Sequence, residues 1–151
     1  MSITIGINSY VTLEEAELII ADMFNADEWT ALTDPQKEKA LKTAVFQGLD
    51  LLSLRGNKLD SSTQVLEFPR SYEKTVSNSV KMAQCYEAVE IARANYSAEK
   101  AQQEGIASKS IAGASVSYNT AGKTHKDKTG LYSKSAYELI SKYIQRVGNY
   151  D

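Results

Sequence analysis

Apolar positions spaced three and four apart divide this chain into helical runs separated by polar breaks. Thr12 stands three residues before Glu15, a pairing that lets two side chains satisfy the free amides of a helix start. Leu13, Ala16, Leu18, Ile19, Ile20 and Met23 then mark the apolar stripe of a first helix reaching about Met23. Asn8-Ser9-Tyr10-Val11 reads as a short extended lead-in to it. Asn25 to Leu32 carries Trp29, the only tryptophan, in one or two helical turns. Thr33-Asp34-Pro35 restarts the helix, with proline at the first helical position, where its missing amide costs nothing. Ala40, Leu41, Ala44, Val45, Leu49 and Leu52 continue the spacing and predict an end near Leu54, before Arg55-Gly56-Asn57. Trp29 and these leucines read as core.

Arg55 to Lys74 is a long connection whose one compact apolar feature is Leu66-Glu67-Phe68-Pro69-Arg70. Residues before proline are pushed to extended geometry, so the segment is expected to lie flat over the bundle with Phe68 as anchor. Ser77 or Asn78 caps the next and longest helix, which runs on toward Gly105. Met82, Tyr86, Val89, Ala92 or Arg93, and Tyr96 mark one face, with Val80, Ala83 and Cys85 beside it.

The pattern then changes period. From Ile111 to Tyr118, Ala112, Ala114, Val116 and Tyr118 alternate with Gly and Ser, as in a strand with one thinly covered face. Such a strand needs a partner for its backbone, either a hairpin mate or a neighbouring chain. Asn119 to Gly130 is polar, lysine-bearing and read as mobile. A second capping pair, Ser135 with Glu138, opens a last helix with the stripe Ala136, Leu139, Ile140, Tyr143, Ile144 and Val147. Lys142 and Arg146 fall in its final turns, where they complement the helix dipole. The fold expected is mainly α, a small bundle of about four to five helices with a short β-strand or hairpin before the C-terminal helix. Residues 1–105 would form the helical core, and residues 106–151 a docking arm of the same domain.

Charge adds asymmetry to this outline. Met1 to Asp34 holds seven carboxylates and no Lys or Arg, whereas Glu99 to Asp151 holds eight Lys or Arg against five acids. The net charge of −2 lacks the basic surplus usual in proteins that grip nucleic acid. The asymmetry is either solvated surface or an acidic face of one subunit meeting a basic face of the next. Five of nine tyrosines (Tyr118, Tyr132, Tyr137, Tyr143, Tyr150) lie in the final third, which makes them, with Ile144 and Arg146, candidates for a partner interface.

Reactive chemistry is poorly served. One cysteine, Cys85, and one histidine, His125, offer no zinc-ligand spacing, and Cys85 reads as packing. Gly122-Lys123-Thr124 ends like a phosphate-binding loop, but Ser117 stands where that pattern needs glycine, and no helix follows at once. No stretch approaches the ~20 apolar residues of a membrane span, and Met1 to Asn8 lacks the marks of a secretory signal. The expectation is a protein that is not an enzyme and needs no cofactor or metal.

The ordered features resemble a known group. Asn8 to Ala16 is followed by Asp27-Glu28-Trp29, Lys37-Glu38-Lys39-Ala40-Leu41, the Arg55-Gly56 break and Phe68-Pro69-Arg70. A helix carrying Ala83-Gln84-Cys85, the Gly113-Ala114-Ser115-Val116-Ser117-Tyr118 strand and a short C-terminal helix complete the series. In this order they resemble the head–tail connector adaptors of tailed bacteriophages, some of which are catalogued as DnaT-like single-stranded-DNA-binding proteins. That group often has Trp where this chain has Phe68, and Pro opening the helix that begins near Ser77.

The resemblance implies a subunit of a ring, typically a dodecamer, below the portal protein in the virion neck and assembled in the host cytoplasm. Such a ring extends the channel, lets double-stranded DNA pass without tight binding, and presents a surface to the next connector or tail-completion protein. The C-terminal segment would reach toward the portal. The alternative label implies a single-stranded-DNA-binding replication accessory, for which Lys123, Lys126 and Lys128 are the candidate contacts.

Overall fold

The computed structural model describes residues 2–24, 26–104 and 129–145. Among these the chain is mainly helical, with five α-helices and no β-strand. They are α1 (Leu13–Ala21), α2 (Asp27–Thr30), α3 (Asp34–Phe46), α4 (Asn78–Glu104) and α5 (Lys134–Ile140), with 3₁₀ turns at Leu49–Leu51 and Ser141–Tyr143. The strand expected at Ile111 to Tyr118, the lysine loop that follows as far as Lys128, the Gly105 stop and Val147 lie outside the described residues.

The helix starts obey local chemistry. Thr12 Oγ1 accepts from the Glu15 amide at 3.0 Å while Glu15 Oε1 accepts from the Thr12 amide at 2.9 Å. Thr33 and Gln36 make the same reciprocal pair, with Pro35 in the first turn of α3. Ser77 Oγ accepts from the Val80 amide, which opens α4 at Asn78.

α4 is the spine, and two apolar clusters lie end to end along it. Val11, Ile20, Trp29 and Leu41 pack with Cys85, Ala88 and Ala92. Leu49, Leu66, Phe68, Leu131, Ile140 and Tyr143 pack with Val80 and Ala83. Each fully buried large apolar side chain stabilises the fold by about 1.5–3 kcal/mol. The alanines let α1, α2, α3 and α5 approach the spine closely, so burial extends around more of α4 than one stripe predicts. Met82 and Tyr86, expected on the buried face, are only partly covered.

Two expected helix ends are displaced. α3 stops at Phe46, not near Leu54, because Gly48 departs from helical geometry (φ −135°, ψ −93°). A Cβ there would stand 2.4 Å from the Ala44 carbonyl oxygen and 3.1 Å from Leu131. Leu49 still reaches the core, through the 3₁₀ turn. α5 is capped by Ser133, whose Oγ accepts from the Ala136 amide at 3.1 Å, and Ser135 lies inside the helix. α5 also ends early, at Ile140, and Ile144 leaves the helix to bridge Leu54 in antiparallel register. Leu18, assigned to the buried stripe of α1, is 74% exposed.

The long connection folds back on itself rather than wandering. Lys58 and Arg70 pair in antiparallel register, with Leu59 N–H donating to Pro69 O and Ser71 N–H to Asn57 O. Arg70 is 3% exposed and organises this fold. Its guanidinium donates to the carbonyls of Arg55, Gly56 and Glu67 and to the Glu67 carboxylate. Phe68 anchors the connection as expected, edge-on to both Tyr10 and Tyr143.

Candidate functional site

Two buried polar side chains on successive turns of α4 dock the chain ends onto the spine. Gln84 Oε1 accepts from the Tyr10 amide at 3.0 Å, and its Nε2 donates to Ser9 Oγ and to the Leu41 carbonyl. Glu87 accepts from the amides of Tyr132 and Ser133, each at 2.9 Å. These polar groups satisfy backbone that would otherwise be buried without partners.

A third network holds the long connection. Tyr10 Oη donates to Asp50 Oδ1 and accepts from the Phe68 amide, while Asp50 Oδ2 accepts from the Glu67 amide. Burial, reinforced by the Asp50 carboxylate, pushes the Tyr10 hydroxyl far up, and burial also raises the Asp50 carboxyl above its ordinary 3.8. Tyr143 Oη donates to Glu73 Oε2 and receives a hydrogen bond from Ser77 Oγ. Desolvation and then the Glu73 bond push that hydroxyl up to about 12. The Cys85 thiol is pushed to about 12 by burial. A packing role fits that value, since the reactive species of cysteine is the thiolate.

Where the long connection meets the C-terminal 3₁₀ turn, cations and rings gather at the surface. The Arg55 guanidinium lies 5.0 Å from the centroid of the Tyr72 ring. Tyr72 stacks beside Tyr143 with centroids 6.3 Å apart and planes 20° apart. Lys142 Nζ lies 5.4 Å from the Tyr143 centroid. Arg55 N–H donates to Tyr143 O and Arg55 Nε to Lys142 O, so the two segments are tied together.

On another side, two adjoining concavities share Met82 and Tyr86 as floor. One of about 280 Å³ is completed by Ile19, Asp22 and Met23, and one of about 300 Å³ by Ser135, Glu138 and Leu139.

The expected interface residues scatter. Tyr143 is 2% exposed and forms part of the core. It occupies the 3₁₀ turn Ser141–Tyr143 that follows α5 rather than a continuation of the α-helix. Tyr137 and Ile144 are half-buried and packed against the same core cluster, whereas Tyr132 is half exposed. Tyr118, Arg146, Tyr150, Lys123, Lys126 and Lys128 lie outside the described residues. In the sequence Arg55 marks only a helix break and Tyr72 carries no signal, since they stand far from Lys142 and Tyr143 along the chain and no motif joins them.

Among the described residues no group of three or more His, Cys, Asp or Glu could hold a metal ion. No described helix is long and apolar enough to cross a membrane.

A family model described as "Putative DnaT-like ssDNA binding protein" matches residues 2–150. The chain belongs to this DnaT-like family. The match to the DnaT-like family takes in the bundle, the long connection and the C-terminal third alike. Neither the curated proteins nor the solved structures provide a match.

Proposed function

We propose that this protein is a structural adaptor subunit. In this reading it forms a ring, a dodecamer by the resemblance, between the portal protein and the tail of a bacteriophage, and extends the DNA channel.

One observation carries the reading: the most exposed large apolar side chains stand on and just after α1, in the acidic first third of the chain. Leu18 is 74% and Phe24 94% exposed. Glu14 lies one helical turn before Leu18, Asp22 one turn after it, and all three are exposed. Apolar surface rimmed by charge is what protein contacts bury. A ring brings one side of each subunit against the other side of its neighbour. The acidic first third and the lysine-bearing last third are suited to that head-to-tail meeting. A net charge of −2 also suits a channel through which double-stranded DNA slides without being held.

The test is mass measurement of the purified protein alone and with portal protein. Rings seated on portals are expected, and the subunit would end in the virion neck after assembly in the host cytoplasm. Failure to form rings or to bind portals under any assembly condition overturns the reading.

A second reading is favoured by the family description itself. Here the protein binds single-stranded DNA as a replication accessory, with Lys123, Lys126 and Lys128 supplying phosphate contacts. It predicts salt-dependent oligonucleotide binding that weakens when those lysines are replaced.

A further inference from the structure

We propose that Arg55, Tyr72 and Lys142 form a ledge that takes an unpaired nucleobase and its flanking phosphates. This inference rests on the single-stranded-DNA reading above and assigns it a site among the described residues.

Proteins that hold single strands without sequence preference combine aromatic or guanidinium planes, on which bases stack, with cations that track the backbone. The ledge supplies both in one patch. Tyr72 is 47% exposed, and the Arg55 guanidinium lies over its ring at 5.0 Å. Arg55 is itself exposed, as a guanidinium plane that takes a base must be. Lys142 is also exposed and extends the positive charge across the neighbouring Tyr143 ring.

The groups are held before any ligand arrives. Tyr143 stacks beside Tyr72 and fixes its plane. Tyr72 Oη donates to Arg55 O at 3.4 Å, and Arg55 Nε is bonded to Lys142 O at 3.0 Å. Gly56 adopts φ +70°, which brings backbone so close that an added Cβ would lie 3.1 Å from the Tyr72 ring. Only glycine accepts that conformation without strain.

The nearby acids do not cancel the cations. Glu73 turns inward, with Oε2 bonded to Tyr143 Oη and Oε1 buried. Glu67 is engaged by Arg70 at 2.9 Å. Arg55 and Lys142 are thus exposed at the ledge, while Glu73 Oε1 is turned away from solvent.

The test is fluorescence anisotropy of a labelled oligothymidylate with the full chain, at several salt concentrations. Tyr72→Leu and Arg55→Gln are each expected to weaken binding roughly tenfold. Arg55→Gln and Lys142→Gln should each lower the salt slope by about one phosphate contact. Arg55→Lys keeps the charge and loses the plane, so it should weaken binding while preserving the slope. Lys39→Ala, on the exposed face of α3, should leave binding unchanged, and circular dichroism checks that each variant is folded.

If the unaltered protein binds no oligonucleotide, both the single-stranded-DNA reading and the ledge are wrong. If it binds and only Lys123, Lys126 and Lys128 variants lose affinity, the reading stands and the ledge is overturned. The ledge is equally overturned if its variants bind DNA normally and instead lose self-association, which would make it a protein contact.

Discussion

Glu87 and Ser133 meet across the bundle, the carboxylate of one accepting the backbone amide of the other at 2.9 Å. The same carboxylate takes the Tyr132 amide at 2.9 Å, although Glu87 is only 1% exposed. A buried carboxyl group on the spine thus holds the two residues that lead into the last helix.

Glu87→Ala should be strongly destabilising. It leaves the buried Ser133 amide and the part-buried Tyr132 amide without that acceptor, so a loss of about 3 kcal/mol is expected. Glu87→Gln keeps an acceptor oxygen and should lose less. Urea unfolding of the two variants measures the difference. Equal stabilities of Glu87→Ala and the unaltered protein would show that the dock carries no weight.

Phe68→Ala should cost about 3–5 kcal/mol, by transfer energy and by the cavity left between the Tyr10 and Tyr143 rings. The long connection would lose its anchor, so proteolysis between Arg55 and Lys74 should accelerate more than cleavage within α3. Uniform acceleration across the chain would instead mean that the connection and the bundle open as one unit.

Alkali should unfold the protein cooperatively. Burial raises the Cys85 thiol from 9.0 to about 12. The Tyr143 hydroxyl rises from 10.0 to about 12, and Tyr10 also rises. In each case the folded value lies above the unfolded one, so the native state holds these protons longer. Their contribution is intact below about pH 9 and is lost as the pH climbs toward 12. Urea midpoints measured across that range should fall steadily, and a thiol reagent at mildly alkaline pH should label Cys85 only as fast as the bundle opens. Rapid labelling of the folded protein would contradict the burial.

Leu18→Lys and Phe24→Ser should leave stability within about 0.5 kcal/mol, since neither side chain is buried in the single chain. If the adaptor reading holds, the same variants should lose ring assembly or portal binding, read by mass. Normal assembly by both would remove the observation on which that reading rests.

Local chemistry carried much of the fold. Thr12 with Glu15, and Thr33 before Pro35, mark helix starts because capping involves partners three residues apart. The spacing of Leu41, Ala44 and Val45 placed α3, and Phe68 beside its proline was recognisable as an anchor. Leu18 shows where the apolar stripe fails. It is spaced for burial on α1, yet it stands 74% exposed, with no other element over it among the described residues.

The candidate ledge was illegible for a simpler reason. Arg55 and Tyr72 belong to a connection without periodicity, and their relation to Lys142 exists only because the Leu54–Ile144 bridge joins two ends of the fold.

By itself, the amino-acid order determined the mainly helical class and the helix starts at Thr12, at Thr33-Asp34-Pro35 and at Ser77 or Asn78. Each depends on residues near one another along the chain. Tertiary structure decided where α3 and α5 end, that Ser133 rather than Ser135 caps the last helix, and that Tyr143 belongs to the core. Those outcomes depend on the room at Gly48 beside Leu131 and on the Glu87 carboxylate, and such distant neighbours leave no mark in local spacing.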